Sequence, residues 1–491
     1  MNINSRNNLS NQDESISLLK SSKVHVRDVQ HRSFWYLFLL SLALGGVQFA
    51  WATELAYVSP YLLSLGLPKP VMSLVWIAGP LSGIIMQPLI GQLSDKSRLK
   101  WGKRRPFIIG GCCGTVLGLL LMGRTKDIVG IFRHDDRNAT IILAVFGLYL
   151  MDFSVNAIMA SSRALIVDAA PHTQQDIANS MVSRLVGVGN VLGYLSGYID
   201  LPRLFPRIGK SQFEILCLLS SIVLIICVTF TCFRVKEVNV DANSSSNIPK
   251  RSIVDPIKQI IYTIFHLPRP IRDVCVTQFF SWIGWFPFLI YCTAWIGQIY
   301  VLEHASQNGH ASDPDWDKAT RTGSFALLLY ALVALLSSIV LPTFVAPDGI
   351  IAIKGLTLSR LWTLTMGIFA VCMFSTFFIT TVSGATIMVS FCGIPWALTL
   401  WAPFALISKQ VAWKNLDAGV VLGVHNIFIS MPQVISTLIS SLIFRICTKG
   451  VKEGGVHDES FDWILRSGGL ATCVAIILAI RLDKSKANDE V

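Results

Sequence analysis

The chain has 491 residues, of which 52% are hydrophobic and only 14% are charged. A soluble chain usually carries about a quarter charged residues, so the composition excludes an ordinary soluble protein. Apolar runs of about 18 residues or more, each long enough to cross ~30 Å of hydrocarbon, recur along the sequence. The net charge of +11 does not indicate nucleic-acid binding, because the basic residues lie between these runs. The sequence therefore predicts an all-α polytopic protein of the lipid bilayer with no nucleic-acid partner.

The apolar runs predict twelve transmembrane helices, six on each side of a polar central stretch. This is the organisation of transporters built from two pseudo-symmetric halves, with the substrate bound between them. The predicted spans are 34–62, 71–92, 106–123, 141–167, 178–199, 213–233, 274–300, 322–346, 356–382, 384–408, 418–444 and 465–481. The chain is thereby divided into an N-terminal tail 1–33, a six-helix bundle 34–233, a central loop 234–272, a second six-helix bundle 273–481 and a C-terminal tail 482–491.

The positions of Lys and Arg predict the orientation. Segments 93–105 and 234–272 carry six and seven of these residues, more than any predicted loop on the other side. Positive residues stay on the cytoplasmic side of a membrane, so both termini should be cytoplasmic.

Several classes of chemistry lack their motifs. Most of the eleven cysteines lie inside apolar runs, with no C-x-x-C pair and no His/Cys cluster, so we expect packing residues rather than a metal site or disulfides. No Ser/His/Asp set, H-E-x-x-H motif or phosphate-binding loop occurs at a plausible membrane face. The sequence predicts no enzyme, no metal and no organic cofactor.

Asp152 lies in the middle of the fourth apolar run, with Asn156 and Arg163 on the same helical face. A carboxylate at membrane depth costs roughly 2.5–3.5 kcal/mol on insertion scales. Arg163 is roughly 16 Å away at 1.5 Å per residue, too far to neutralise Asp152 directly. The simplest mobile partner is a proton, which predicts that Asp152 binds one.

The loop after the second span reads G-Q-L-S-D-K from Gly91 and W-G-K-R-R-P from Trp101. It resembles the loop signature of the major facilitator superfamily. We expect Asp95 and the basic residues to form a cytoplasmic charge network that holds the two halves together in one state. A simple positive-inside anchor is the alternative. If the loop gates transport, the residues that we expect to take part are Gly91, Asp95, Gly102, Arg104 and Arg105.

Motifs in order along most of the chain resemble a narrower family, the sucrose/proton symporters of the glycoside–pentoside–hexuronide type. They include G-V-Q-F-A-W-A-T-E from Gly46, D-x-x-x-N from Asp152, R-A-L-x-x-D from Arg163 and G-I-P-W from Gly393. The resemblance implies a major facilitator fold and uptake of a disaccharide with a proton as the coupling ion.

The resemblance also implies residue roles. Asp152 would carry the proton, Asn156 would modulate it, and Arg163 would belong to the coupling or substrate network. Gln48 and Glu54 would face the sugar cavity, to which Asp152 and Asn156 would also contribute. Sugar rings stack on indole faces, so we add Trp51 and Trp295 as candidate binding residues.

The chain departs from the plant members. Their seventh span carries two acidic residues in F-D-T-D-W, where this chain has Tyr-Cys-Thr-Ala-Trp ending at Trp295. Glu54 stands where plant sequences tend to have glutamine. We therefore expect a fungal sucrose or α-glucoside transporter, with a proton-independent facilitator or a non-transporting sugar sensor as alternatives.

We expect a monomer in the plasma membrane. The stretch from Glu14 to Leu19 resembles an acidic dileucine sorting signal, which makes a vacuolar or endosomal membrane the alternative.

Overall fold

The computed structural model describes residues 32–97, 99–132, 136–171, 174–235, 237, 264–308, 315–345, 353–413, 418–448 and 459–489. The stretch Glu14–Leu19 and most of the predicted central loop lie outside these ranges. We call residues 34–235 the N-terminal half and residues 264–489 the C-terminal half.

Sixteen α-helices and no strand occur in the described residues. In the N-terminal half they are α1 Phe34–Ser64, α2 Lys69–Val75, α3 Ala78–Lys96, α4 Arg105–Gly123, α5 Thr125–Phe132, α6 Arg137–Ala169, α7 Gln175–Tyr198, α8 Leu201–Leu204 and α9 Gln212–Arg234. In the C-terminal half they are α10 Arg269–Asn308, α11 Trp316–Val340, α12 Leu358–Ser375, α13 Val382–Phe391, α14 Gly393–Trp413, α15 Ala418–Thr448 and α16 Ser460–Asp489. The predicted all-α fold is confirmed.

Eleven helical stretches within the described ranges are long and apolar enough to cross a membrane. The other predicted span, 178–199, forms the 24-residue helix α7, which includes Arg184 and several polar residues and is not among the eleven. Two spans are built from paired helices, because α2 and α3 are separated at Trp76 and Ile77, and α13 and α14 at Cys392. The predicted C-terminal tail continues α16 as a helix as far as Asp489.

Helix α7 packs closely against helices of both halves. A Cβ added to Gly189 would lie 2.6 Å from the carbonyl oxygen of Gly45 on α1, and one added to Gly187 would lie 2.8 Å from Leu335 Cδ1 on α11. A larger residue at position 189 would push α7 away from α1, whereas one at position 187 would require the Leu335 side chain to move. The glycines of this helix therefore permit close packing.

The halves touch at the end of the bundle where α1 ends at Ser64, which we call the first-loop end. Several polar contacts cross from one half to the other here, and three of them are short. Examples are Ser59 Oγ to Ile290 O at 3.0 Å, Ser441 Oγ to Pro70 O at 2.9 Å, and Arg321 Nη1 to Asp200 Oδ2 at 2.7 Å. This end of the bundle is therefore closed.

Lys69 lies at the centre of this closure. Its Nζ is 4.2 Å from the ring centroid of Phe461 and 6.0 Å from that of Phe444, both in the C-terminal half. It also lies 3.5 Å from Gln298 Oε1. A cation over an aromatic face is attracted by about 0.5–2 kcal/mol, so Lys69 stabilises the closed end.

We expect Lys69→Ala to open the first-loop end more often. A loss of about 1.4 kcal/mol would raise the open fraction roughly tenfold. The measurement is the rate at which a thiol reagent labels a cysteine introduced at Ser441, with the exposed Cys113 replaced. Lys69→Arg keeps the cation and serves as the control. Equal labelling rates in the two variants would show that the cation does not hold this end closed.

Candidate functional site

Asp152 lies near the middle of the 33-residue helix α6 and is completely buried. The helix begins where the side chain of Asp136 accepts the N–H of Ala139 at 3.0 Å. Neither carboxylate oxygen of Asp152 has a hydrogen-bond donor among the described residues. Gly79 of α3 lies opposite, where an added Cβ would be 3.8 Å from Asp152 Oδ2. The carboxyl group is thus enclosed by packed helices, and no cation of the described residues lies beside it.

Glu54 of α1 is the polar group that faces Asp152. Its side chain is buried, and its carboxyl group lies close enough to that of Asp152 for the two to interact electrostatically, although no hydrogen bond joins them. Glu54 Oε2 has no donor in the described part of the chain. We call these two residues the carboxyl pair. The family resemblance implies that Glu54 faces the sugar cavity, and the sequence gives no sign that it lies near Asp152.

Asn156 ties α6 to α3. Its Nδ2 donates to Ser82 Oγ at 2.8 Å and to the backbone carbonyl of Asp152 at 3.0 Å. Its Oδ1 accepts from Gln87 Nε2 at 3.1 Å. Asn156 therefore bonds the main chain of Asp152 rather than its carboxylate, and Ser82 and Gln87 are partners that sequence reasoning missed.

We expect Asn156→Ala to lower the uptake rate without moving the pH of half-maximal uptake, because the amide does not contact the carboxyl pair. Asn156→Asp should move that pH upward, since a third carboxylate one turn away favours protonation of its neighbours. Sugar uptake measured across a pH series in cells expressing each variant decides this. A shifted midpoint in the alanine variant would mean that Asn156 acts on the carboxyl group itself.

Arg163 does not join the carboxyl pair. Its side chain is exposed, two turns beyond Asn156, and no ion pair to it is formed within the described residues. The exposed guanidinium group therefore lies on the same helix as Asp152 but apart from its carboxyl group.

Gln48 and Trp51 precede Glu54 on α1 at intervals of three residues. Gln48 Nε2 donates to Asn190 Oδ1 on α7 at 2.8 Å, and both Gln48 and Trp51 are half-buried. The structure thus places three of the predicted binding residues along one helix, ending at the carboxyl pair.

Trp295 lies elsewhere. It is 1% exposed, and its Nε1 donates to Asp462 Oδ1 at 2.8 Å. Asp462 adjoins Phe461, which contacts Lys69, so Trp295 belongs to the closed first-loop end. In this conformation its ring has no free face for a sugar.

A second set of tryptophans lies inside the C-terminal half. The half-buried rings of Trp282 on α10 and Trp396 on α14 are 5.9 Å apart, and Trp285 is 5.0 Å from Trp396. The indole N–H groups of Trp282 and Trp285 and the hydroxyl of Tyr330 are buried without a partner among the described residues. Sequence reasoning did not select this aromatic cluster, because tryptophans are common in all membrane bundles.

The loop signature forms a compact charge network. Glu237 accepts the backbone N–H groups of Lys103, Arg104 and Arg105 at 2.6, 3.0 and 2.9 Å. The first N–H groups of a helix have no partner within it, so Glu237 caps α4. Gly102 has φ +109°, and a Cβ there would lie 2.6 Å from the Glu237 carboxyl carbon.

Arg104 links this loop to two further helices. Its Nε lies 3.0 Å from Asp168 Oδ2 at the end of α6, and its Nη1 donates to Ser94 Oγ and, at 3.5 Å, to Gly91 O on α3. Lys103 Nζ is 3.1 Å from the same Asp168 oxygen. These contacts brace the N-terminal half. The side chain of Asp95 lies outside the described ones, and a tie between the halves stays a prediction.

Comparison with known proteins identifies the relatives of this architecture. Residues 39–261 match the family model described as MFS/sugar transport protein. The chain is 37% identical to the general alpha-glucoside permease of Schizosaccharomyces pombe, over 95% of this chain and 96% of the permease. It is 30% identical to sucrose transport protein SUT1 of Oryza sativa subsp. japonica, over 82% and 81% of the two chains.

Solved structures share the fold at low sequence identity. A D-xylose-proton symporter superposes with a TM-score of 0.58 at 15% identity, covering 91% of this chain and 97% of the symporter. A proton-dependent oligopeptide transporter superposes with a TM-score of 0.64 at 14% identity, covering 92% and 98%. The chain matches the sugar-transport family model over residues 39–261 and is 37% identical to the S. pombe permease over nearly its whole length. It therefore belongs to the sugar-transport family of the major facilitator superfamily, a family of membrane transporters rather than enzymes.

Proposed function

We propose that this protein takes up sucrose or a related α-glucoside together with a proton, by alternating access. The observation that carries the proposal is the buried Asp152 carboxyl, which has no cation and no donor among the described residues. The relatives named for α-glucosides and sucrose support the substrate class.

The proton makes the buried carboxyl tolerable. An unpaired charge in an apolar site is costly, so the empty carrier favours binding a proton from the side to which the site is open. Once sugar and proton are bound, the site can close to the first side of the membrane and open to the other. A negative interior contributes about 2.3 kcal/mol per charge per 100 mV to this inward movement.

The polar and aromatic residues inside the bundle suit a sugar. A sugar offers hydroxyl groups for Gln48 and Arg163 of the N-terminal half and C–H faces for the rings of the C-terminal aromatic cluster. The half-buried Trp282 has an indole N–H without a partner among the described residues, a donor that a sugar oxygen would satisfy. A substrate held between the halves would therefore contact both.

The orientation follows from the basic residues. Segments 93–105 and 234–272 are the most positively charged, so we assign them and both termini to the cytoplasm. The first-loop end is then extracellular, and the described conformation is closed to the outside. We assign the protein to the plasma membrane, as a monomer.

The test is uptake of radiolabelled sucrose and maltose in a yeast strain that lacks its own disaccharide carriers. We expect saturable uptake that other α-glucosides inhibit, that a protonophore abolishes as net accumulation, and that alkalinises an unbuffered medium. Saturable uptake insensitive to the protonophore would identify a facilitator instead. Absence of uptake with normal surface expression would indicate a sensor.

A further inference from the structure

We propose that helix α2 is a lid at the first-loop end, which swings separately from the rest of the N-terminal half about a pivot that lies against Asp152. The lid is the short helix Lys69–Val75, and the pivot is the turn from Trp76 to Pro80. The inference rests on the proposed function, because it names the part of the chain that exposes the proton site to the outside.

The first argument is the break that makes α2 a separate piece. Proline has no N–H group and its ring clashes with the carbonyl group one turn earlier, so Pro80 cannot continue the helical hydrogen bonding at Trp76 O. The N–H of Ile77 bonds to Leu74 O at 3.2 Å, as in a tighter 3₁₀ turn. At its other end α2 is joined to α1 through Gly66, whose φ of +83° ends a helix. Helix α2 is thus bounded by a joint on each side.

The second argument is that α2 packs on the opposite half. It lies mainly against α15 of the C-terminal half and only slightly against α1. The ring of Phe461 lies 4.2 Å from Lys69 Nζ. Pro70 O accepts from Ser441 Oγ at 2.9 Å, and both of these contacts reach the C-terminal half. When the halves separate, α2 loses these contacts and keeps its slight packing on α1.

The third argument is the position of Trp76 at the pivot. Its indole is 3% exposed, and its Nε1 donates to Ser59 Oγ on α1 at 3.0 Å. The Ser59 hydroxyl donates in turn to Ile290 O on α10 at 3.0 Å. This chain of two hydrogen bonds runs from the pivot to the C-terminal half, so opening of the first-loop end changes the hydrogen bonding at the pivot.

The fourth argument is the contrast with α3, beyond the pivot. Asn156 of α6 donates to Ser82 Oγ at 2.8 Å and accepts from Gln87 Nε2 at 3.1 Å, so α3 is bonded to its own half. Gly79, within the pivot, lies opposite the proton site, where an added Cβ would be 3.8 Å from Asp152 Oδ2 and 4.0 Å from Oδ1. The boundary between the fixed and the moving part of this span therefore lies at Asp152. A swing of α2 moves main chain away from the carboxyl group and admits water, the source of the proton, from the first-loop end.

The first experiment measures distances between pairs of spin labels in the full-length protein in lipid nanodiscs. The labels are carried by unnatural amino acids, which leaves the native cysteines in place, at the exposed positions Leu74 of α2, Leu120 of α4 and Leu192 of α7. In Lys69→Ala, whose closed end is weakened, we expect two populations of the 74–120 distance and one of the 120–192 distance. Pro80→Ala in the same background restores the helical N–H and should leave one population of each.

The second experiment measures sugar uptake. Pro80→Ala should lower its maximal rate by roughly fivefold to tenfold, because opening then requires breaking an added helical hydrogen bond. Pro403→Ala replaces a proline inside α14 and is the matched control, which should leave the rate nearly unchanged.

A single 74–120 distance in Lys69→Ala, equal to that in Lys69→Arg, would overturn the inference, because α2 would then move only as a rigid part of its half. An unchanged uptake rate in Pro80→Ala would also overturn it. The distance measurement needs no sugar, so two populations in a protein that takes up no sugar would contradict the proposed function and support the lid.

Discussion

Asp152→Asn should abolish sugar accumulation against a gradient while leaving a folded carrier in the membrane. Asparagine keeps the shape of the side chain but cannot bind and release a proton. It also removes the charge whose neutralisation drives proton binding at a buried position. We expect internal sugar to rise no higher than the external concentration, and the protonophore to have no further effect.

The measurement is accumulation of labelled sugar over time, paired with exchange of external for preloaded sugar in the same cells. Exchange needs no net proton movement, so it should persist and show that the variant is folded. Asp127→Asn removes an exposed carboxylate at the start of α5 and is the matched control. If Asp152→Asn still concentrates sugar with an unchanged pH dependence, Asp152 is not the proton site.

Glu237→Ala should give the largest loss of stability among the substitutions considered. The carboxylate accepts three backbone N–H groups and its side chain is only 4% exposed, so water cannot easily replace it. A buried donor left without a partner costs about 1–3 kcal/mol. Several kcal/mol of unfolding free energy should therefore be lost, while Glu237→Gln, which keeps one acceptor oxygen, should lose less.

Thermal unfolding of the detergent-solubilised protein measures this order. Glu303→Ala is the matched control, because Glu303 accepts a single backbone N–H, that of Val382 at 2.8 Å. We expect the unfolding temperature to fall most in Glu237→Ala and least in Glu303→Ala. Equal losses in these two variants would show that the three N–H groups find other partners.

The fold was predictable because length and apolar composition alone decide where a chain can cross a bilayer. The separations at Trp76–Ile77 and at Cys392 were not, because a short turn inside an apolar run changes neither quantity. Helix α7 is an exception to the rule that apolar composition marks each span. Its helical form was predicted, although Arg184 and its polar residues keep it outside the group of eleven stretches with span-like composition.

The candidate site was predictable at Asp152, because placing a carboxylate inside an apolar membrane span costs free energy and such a residue is therefore conspicuous in the sequence. The proximity of Glu54 to Asp152 was not predictable, because it depends on how α1 and α6 pack, and residues far apart in sequence show no spacing signal. Glu237 was missed for a related reason. It stands in a polar stretch, where an acidic residue looks like any solvent-exposed one until its three N–H partners are seen.

The polarity of helix α7 has a consequence for biogenesis. A segment containing Arg184 and many small residues enters hydrocarbon poorly by itself, so its insertion depends on neighbours already present. Helix α1 can shelter one face, since Gly189 meets Gly45 there, but the face at Gly187 is covered by α11. The ribosome makes α11 only after the central segment, so α7 must stay at the translocon or lipid boundary with one side uncovered until then. Assembly of the bundle is therefore completed late in synthesis.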